Sequence, residues 1–151
     1  MPLDRSGQDE MRHDLVDIVG GVLWREDTIL LGKRAASRRW YPNVWDVIGG
    51  HMEAHEQPLD ALSRELQEEI GVTPAQSFLL ESFDDPDLRQ DGVNLFHLYI
   101  VTAWSGTPRN QQPHEHSEIR WFPIAQAVHL DLPHPIYPTL FQRIAQSVAD
   151  H

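Results

Sequence analysis

The sequence predicts an α/β fold. Three observations carry this expectation. Strand patterns make up most of the regular structure, two amphipathic helices interrupt them, and the strongest strand is apolar on both faces. That strand, Val93 to Trp104, sets Val93, Leu95, His97, Tyr99 and Val101 against Asn94, Phe96, Leu98, Ile100 and Thr102, so it belongs in the centre of a sheet covered on both sides.

The elements follow in chain order. Residues 1–13 are polar and are expected to form a flexible tail, leaving 14–151 as one domain. Leu15 to Trp24 reads as a strand, with Val16, Ile18 and Val22 alternating and Gly20-Gly21 inside it. Arg25-Glu26-Asp27 turns the chain into a second strand, Thr28 to Arg34, and the two are expected to form a hairpin. Ala35 to Asn43 is a loop containing Arg38, Arg39, Trp40 and Tyr41, a basic and aromatic cluster in an acidic chain. Such a cluster suits phosphate and base recognition, and an exposed loop with one aromatic anchor explains it equally well. Trp45 to Ile48 is a short strand leading into Gly49-Gly50, read as a flexible turn.

A helix follows. Pro58 suits its first turn, Leu59, Leu62, Leu66 and Ile70 mark one apolar face, and Gly71 is a C-cap. After it come a strand from Ala75 to Phe83, an acidic loop from Asp84 to Gly92, the central strand, and a loop from Ser105 to His116. Glu118 to Phe122 is a further strand and Ile124 to Val128 a short helix. His114 and His116 lack the spacing of a helical zinc site and read as loop histidines. Thr139 is placed to cap a last helix with Leu140, Phe141, Ile144, Ala145 and Val148 as its stripe.

Composition excludes several functions. A formal charge of -11 argues against a nucleic-acid polymer as partner, although metal ions could still bring a small anionic substrate to the chain. The chain has no cysteine, hence no disulfide, thiolate zinc site or cysteine nucleophile. No apolar run reaches membrane-spanning length and no signal-peptide core is present, so a cytoplasmic, membrane-free protein is expected.

The chemistry lies on the Pro58 helix. Glu65, Glu68 and Glu69 stand at i, i+3 and i+4 on one stripe, where like charges cost roughly 0.2–0.5 kcal/mol per pair. Arg64 relieves part of this. A divalent cation with a preference for oxygen, Mg²⁺ or Mn²⁺, would relieve the rest, while a solvated acidic face is the alternative.

The full stretch decides between them. Gly50, Glu56 after five residues, then seven residues later Arg64, Glu65, Leu66, Gln67, Glu68, Glu69, Ile70, Gly71 and Val72, match every fixed position of G-x5-E-x7-R-E-U-x-E-E-x-G-U, where U is a bulky aliphatic residue. This resembles the signature of the Nudix hydrolases. The resemblance implies an α/β/α sandwich with a mixed β-sheet between helices. It implies Mg²⁺ or Mn²⁺ bound by Glu65, Glu68, Glu69 and the Gly49 carbonyl, with Glu56 and Arg64 paired behind them. The segment from Glu115 resembles the stretch that follows the central strands of the family. Glu115 and Glu118 are its candidates for a further ligand, Glu118 being taken as the ligand here; a surface acid pair is the other reading. Arg34, Arg39, Trp40, Trp45 and His51 are the expected substrate contacts.

The family departs from this chain at Ile48, His51 and His55, where it commonly has Pro, Lys and Gly; these positions bear on substrate more than on metal. The implied reaction is hydrolysis of a pyrophosphate bond in a nucleoside di- or triphosphate derivative, the substrate being a small nucleotide. Alternatives are ADP-ribose, a nucleotide sugar, a dinucleoside polyphosphate, or nucleotide sensing without catalysis; a homodimer is compatible with all of them. WDVIGGH also resembles isopentenyl diphosphate isomerase, whose catalytic cysteine this chain lacks.

Overall fold

The β-sheet is mixed and lies between helices. The computed structural model describes residues 15–151, so the tail expected over 1–13 falls outside it. Seven strands are present among the described residues: β1 (Val16–Arg25), β2 (Thr28–Arg34), β3 (Trp45–Asp46), β4 (Ile48–His51), β5 (Thr73–Phe83), β6 (Val93–Ser105) and β7 (His116–Pro123). The helices are α1 (Pro58–Ile70), α2 (Pro86–Gln90), α3 (Ile124–Ala127) and α4 (Ile136–Asp150). The strand order is β3-β2-β1-β6-β5, with β4 also pairing β1 and β7 also pairing β2. Among the described residues only the β1–β6 pair is parallel.

Side-chain alternation divides the interior into two cores. Val19 and Leu23 of β1 and Tyr99 and Val101 of β6 pack with Leu62, Leu66 and Ile70 of α1. Val22 of β1 and Phe96, Leu98 and Ile100 of β6 pack with Tyr137, Leu140, Phe141 and Ile144 of α4. This is why both residue sets of β6 are apolar: each meets a helix, and the period of two sends them to opposite faces. Gly21 lets α1 approach, since a Cβ there would lie 2.7 Å from Leu62 Cδ1.

Four expectations change in three dimensions. The β1–β2 hairpin is confined to its tip, Trp24↔Ile29 and Arg25↔Thr28, through a turn in which Glu26 and Asp27 both have positive φ. Beyond it, β2 pairs along its length with β7, while β1 turns to β4. Gly49 and Gly50 are not a turn. They lie in β4 opposite Gly20 and Val19, because a Cβ at Gly49 would run into the Val19 carbonyl. The acidic loop contains α2, capped by Asp85 Oδ1 accepting from the Asp87 N–H at 2.8 Å. Finally, α4 starts at Ile136, so Thr139 lies within its first turns and is not its cap; Pro138 is tolerated there because early helical N–H groups have no intrahelical acceptor. No described helix is long and apolar enough to cross a membrane.

Candidate active site

The glutamate helix is anchored at both ends. Pro58 opens α1, and Gly71 ends it at φ 74°, its N–H reaching the Gln67 carbonyl while the Val72 N–H reaches that of Leu66. The loop after β6 supplies further donors. Arg109 N–H meets Ile70 O, Gln111 N–H meets Glu69 O, and Gln111 Nε2 reaches Gln67 O and Glu68 O at 2.8 and 3.2 Å. The same loop is closed by Asn110 Nδ2 donating to His116 O at 2.7 Å. Capping the helix therefore also positions the Glu115-His116 pair beside its glutamates.

Glu65 and Glu69 turn inward, 9% and 4% exposed, while Glu68 stays at the surface. This is not a solvated acidic face. Gly50 makes the room, since a Cβ there would meet the Glu65 carboxylate at 2.7–2.8 Å. Gly50→Ala is accordingly expected to displace Glu65 and abolish most activity with only a small change in melting temperature. Near-normal kcat in that variant would count against Glu65 as a working carboxylate.

Arg64 holds the cluster from behind. Its Nε and Nη2 donate to both oxygens of Glu56 at 2.7 and 2.9 Å, Nη1 to Glu65 Oε1 at 3.0 Å, and Nη2 to the His51 carbonyl at 3.1 Å. Glu56 also accepts from the Glu53 N–H at 2.9 Å. The Arg64 hydrogen bonds, then that N–H, hold the Glu56 carboxyl down at about 2. Burial pushes Glu69 well up, with the neighbouring Glu65 charge next in importance and Glu115 adding to it; burial raises Glu65 as well. Two inward carboxyls that resist ionising together form a site in need of positive charge.

A further buried group completes the cluster. His116, 4% exposed, has Nε2 2.9 Å from Glu69 Oε1, and Glu69 Oε2 has no partner among the described residues. Glu69, Glu115 and His116 each place a donor atom within 4.8 Å of the others. An unpartnered carboxylate oxygen in an oxygen-rich cluster fits a hard divalent cation. Burial lowers the His116 imidazole to about 4.

These groups line a cleft of about 510 Å³. Gly49, Gly50, His51, Glu65, Glu68 and Glu69 stand there with Glu115. Arg34, Arg38, Trp40, Tyr41, Asp46, His134 and Tyr137 stand toward β2, β3 and α4. Arg34 Nε donates to the Trp40 carbonyl at 2.8 Å and Nη1 lies 3.5 Å from Asp46 Oδ2. Asp46 also accepts from the Val47 N–H at 2.8 Å, and its burial raises its carboxyl. Tyr41, at φ 51°, donates its hydroxyl to Asp91 Oδ2 at 2.7 Å, tying the loop to the end of α2.

Three sequence assignments do not reach the cleft. Glu118 pairs with Arg120 at 2.8 Å on β7, and its neighbour Glu115 is the acid that arrives. Trp45 is a core residue, packed edge-on against Phe122 at 4.7 Å between ring centroids. Arg39 lies over the Trp40 ring at 5.0 Å, and Arg38 takes the place at the cleft. His116, expected as a loop histidine, is instead buried at the start of β7, and Asp46 and Tyr137 carry no expectation from the sequence. The only sequence signal for them was an EH pair beside the expected strand and the WD that leads into the glycines.

The fold agrees with comparisons to known proteins. A model of the NUDIX domain matches residues 14–143. The chain belongs to the Nudix family. The CTP pyrophosphohydrolase of Escherichia coli is 28% identical over 120 residues, covering 78% of this chain and 83% of that protein. The 8-oxo-dGTP diphosphatase of the same organism is 32% identical over 104 residues, or 66% and 78%. Among solved structures, a MutT NUDIX hydrolase from Burkholderia pseudomallei superposes with a TM-score of 0.71 at 27% identity, covering 85% of this chain and 97% of that one. This Nudix chain is thus an enzyme of the pyrophosphohydrolase class, with a complete signature built around one cleft.

Proposed function

We propose that the chain is a Mg²⁺-dependent, MutT-like hydrolase that cleaves the pyrophosphate bond of a nucleoside triphosphate. The observation that carries this reading is the make-up of the cleft. The carboxylates of Glu65, Glu68, Glu69 and Glu115 share it with the cations Arg34 and Arg38 and the aromatic rings of Trp40 and Tyr41. The relatives from Escherichia coli support it, since both act on nucleoside triphosphates by name and match most of their own length.

In this reading Glu65, Glu68, Glu69 and Glu115, with the Gly49 carbonyl, would hold the cation, which would supply charge neutralisation of phosphate oxygens and activation of water. Arg64 and Glu56 keep the carboxylates aimed, and any carboxylate not engaged by the cation can accept the proton of the attacking water. Arg34 and Arg38 meet phosphate oxygens or the base edge, and Trp40 offers a face for stacking.

The test is a screen of nucleoside triphosphates, nucleotide sugars and dinucleoside polyphosphates with Mg²⁺ and with Mn²⁺, identifying products. A nucleoside monophosphate with pyrophosphate is the expected pair. Turnover confined to nucleotide sugars or dinucleoside polyphosphates would overturn the substrate assignment.

The two tryptophans give a second check. Trp40 is 44% exposed at the cleft, and Trp45 is 8% exposed in the core. Trp40→Ala is expected to raise KM by about tenfold, as the loss of roughly 1–3 kcal/mol of stacking implies, with the melting temperature unchanged. Trp45→Ala is expected to cost about 3 kcal/mol of stability and leave the ranking of substrates alone. Measuring melting and KM on both separates the roles; the opposite pattern would exchange them.

A further inference from the structure

We propose that His116 is a positioning residue for Glu69: its Nε2–H holds one carboxylate oxygen so that the other is presented to the cation. The proposal rests on the cation site described under Proposed function and adds to it a residue outside the signature.

The geometry assigns the proton. His116 Nε2 faces Glu69 Oε1 at 2.9 Å, and the Glu69 carboxylate that ligates a cation is ionised and can only accept. His116 Nδ1 has no partner among the described residues and lies against Gly32, where a Cβ would approach it to 2.9 Å. A buried N–H facing nothing costs more than an unused lone pair, so the proton sits on Nε2 and the imidazole is neutral. The ring is held in place rather than free to turn. Gly32 leaves the space for it, the Asn110 side chain fixes the backbone carbonyl of His116, and the Glu115 carbonyl just before it accepts from the Ala35 N–H at 2.9 Å.

Glu69 needs such a partner. Its carboxylate stands between Glu65 and Glu115, and repulsion from both would turn it away. Held at Oε1, it leaves Oε2 unpaired and buried. A donor behind a ligating carboxylate is the arrangement that fixes its orientation, and losing one such partner typically weakens metal affinity by about 10–100-fold.

The experiment measures Mn²⁺ binding directly, by calorimetry and by the electron paramagnetic resonance of free Mn²⁺, on the wild-type chain, His116→Gln and His116→Met. Glutamine carries an N–H donor near the position of Nε2, and methionine fills the space without one. The expected result is affinity within about threefold of wild type for His116→Gln, a loss of about 10–100-fold for His116→Met, and kcat following the same order. Equal affinity in all three variants would overturn the proposal. So would a loss as large in His116→Gln as in His116→Met, which would mean the imidazole itself is the ligand. Should His116→Met fail to fold, Gly32→Ala serves instead. It leaves His116 in the chain but pushes its ring, and the same loss of Mn²⁺ affinity is expected, with unchanged affinity overturning the proposal. If the wild-type chain itself bound no Mn²⁺, the underlying cation site would be refuted, a result distinct from either failure of the histidine variants.

Discussion

Glu69→Gln is expected to lower kcat by about 10³-fold or more, roughly 4 kcal/mol of transition-state stabilisation, while the melting temperature stays level or rises. The two outcomes have one origin. Glu69 is 4% exposed between the carboxyls of Glu65 and Glu115, so the folded chain carries its charge at a cost. Glutamine keeps the shape and an acceptor for His116, removes the charge, and adds an N–H pair toward Glu65 and Glu115. Folding gains, and a cation at the proposed site would lose one of its carboxylate ligands. The same replacement at the exposed Glu68 should lower activity with almost no effect on melting. Glu69→Gln retaining wild-type turnover would remove the carboxylate cluster from the mechanism.

Arg64→Ala should lose stability and activity together. The guanidinium bonds both oxygens of Glu56, one of Glu65 and the His51 carbonyl, so it joins the loop before α1, the helix itself and the glycine strand. Removing it leaves Glu56 and Glu65 without their cation. A cost of roughly 2 kcal/mol is expected, below that of a fully buried pair because the arginine is partly exposed. Activity should fall by about 10–100-fold, the usual effect of losing a group that orients ligands. The double variant with Glu56→Ala should cost less than the two single losses added. Strict additivity would mean the pair does not act as a unit.

The pair also sets an acid limit. Glu56 is held at about 2, below its ordinary 4.5. Its contribution to stability is therefore complete above the unfolded value and is lost as pH falls from about 4.5 toward about 2. Wild type should lose stability across that window, and Glu56→Gln should lose less there. A parallel acid profile in the two proteins would argue against the pairing.

The sequence by itself determined the helix, its cap and its carboxylates. The spacing of Leu62, Leu66 and Ile70, the left-handed Gly71, and the placement of Glu65, Glu68 and Glu69 are local, and a 3.6-residue period makes them readable without neighbours, whereas Leu59, expected on the same face, is exposed in the first turn. The alternation in β6 likewise announced a sheet covered on both faces. Tertiary structure alone decided which distant groups join that helix. Glu115 rather than Glu118 reaches the cleft because the loop carrying it is bonded to the end of α1, while Glu118 lies along β7 beside Arg120. Trp45 belongs to the core and Trp40 to the cleft, although five residues apart and alike in composition, because β3 packs its side chain against Phe122. Gly49 and Gly50 became a strand because their missing side chains admit Val19 and Glu65. His116 meets Glu69 across 47 residues of chain. Periodicity reports which face a residue occupies on its own element. It carries no information on register or on which element arrives opposite, and those depend on packing summed over the whole fold.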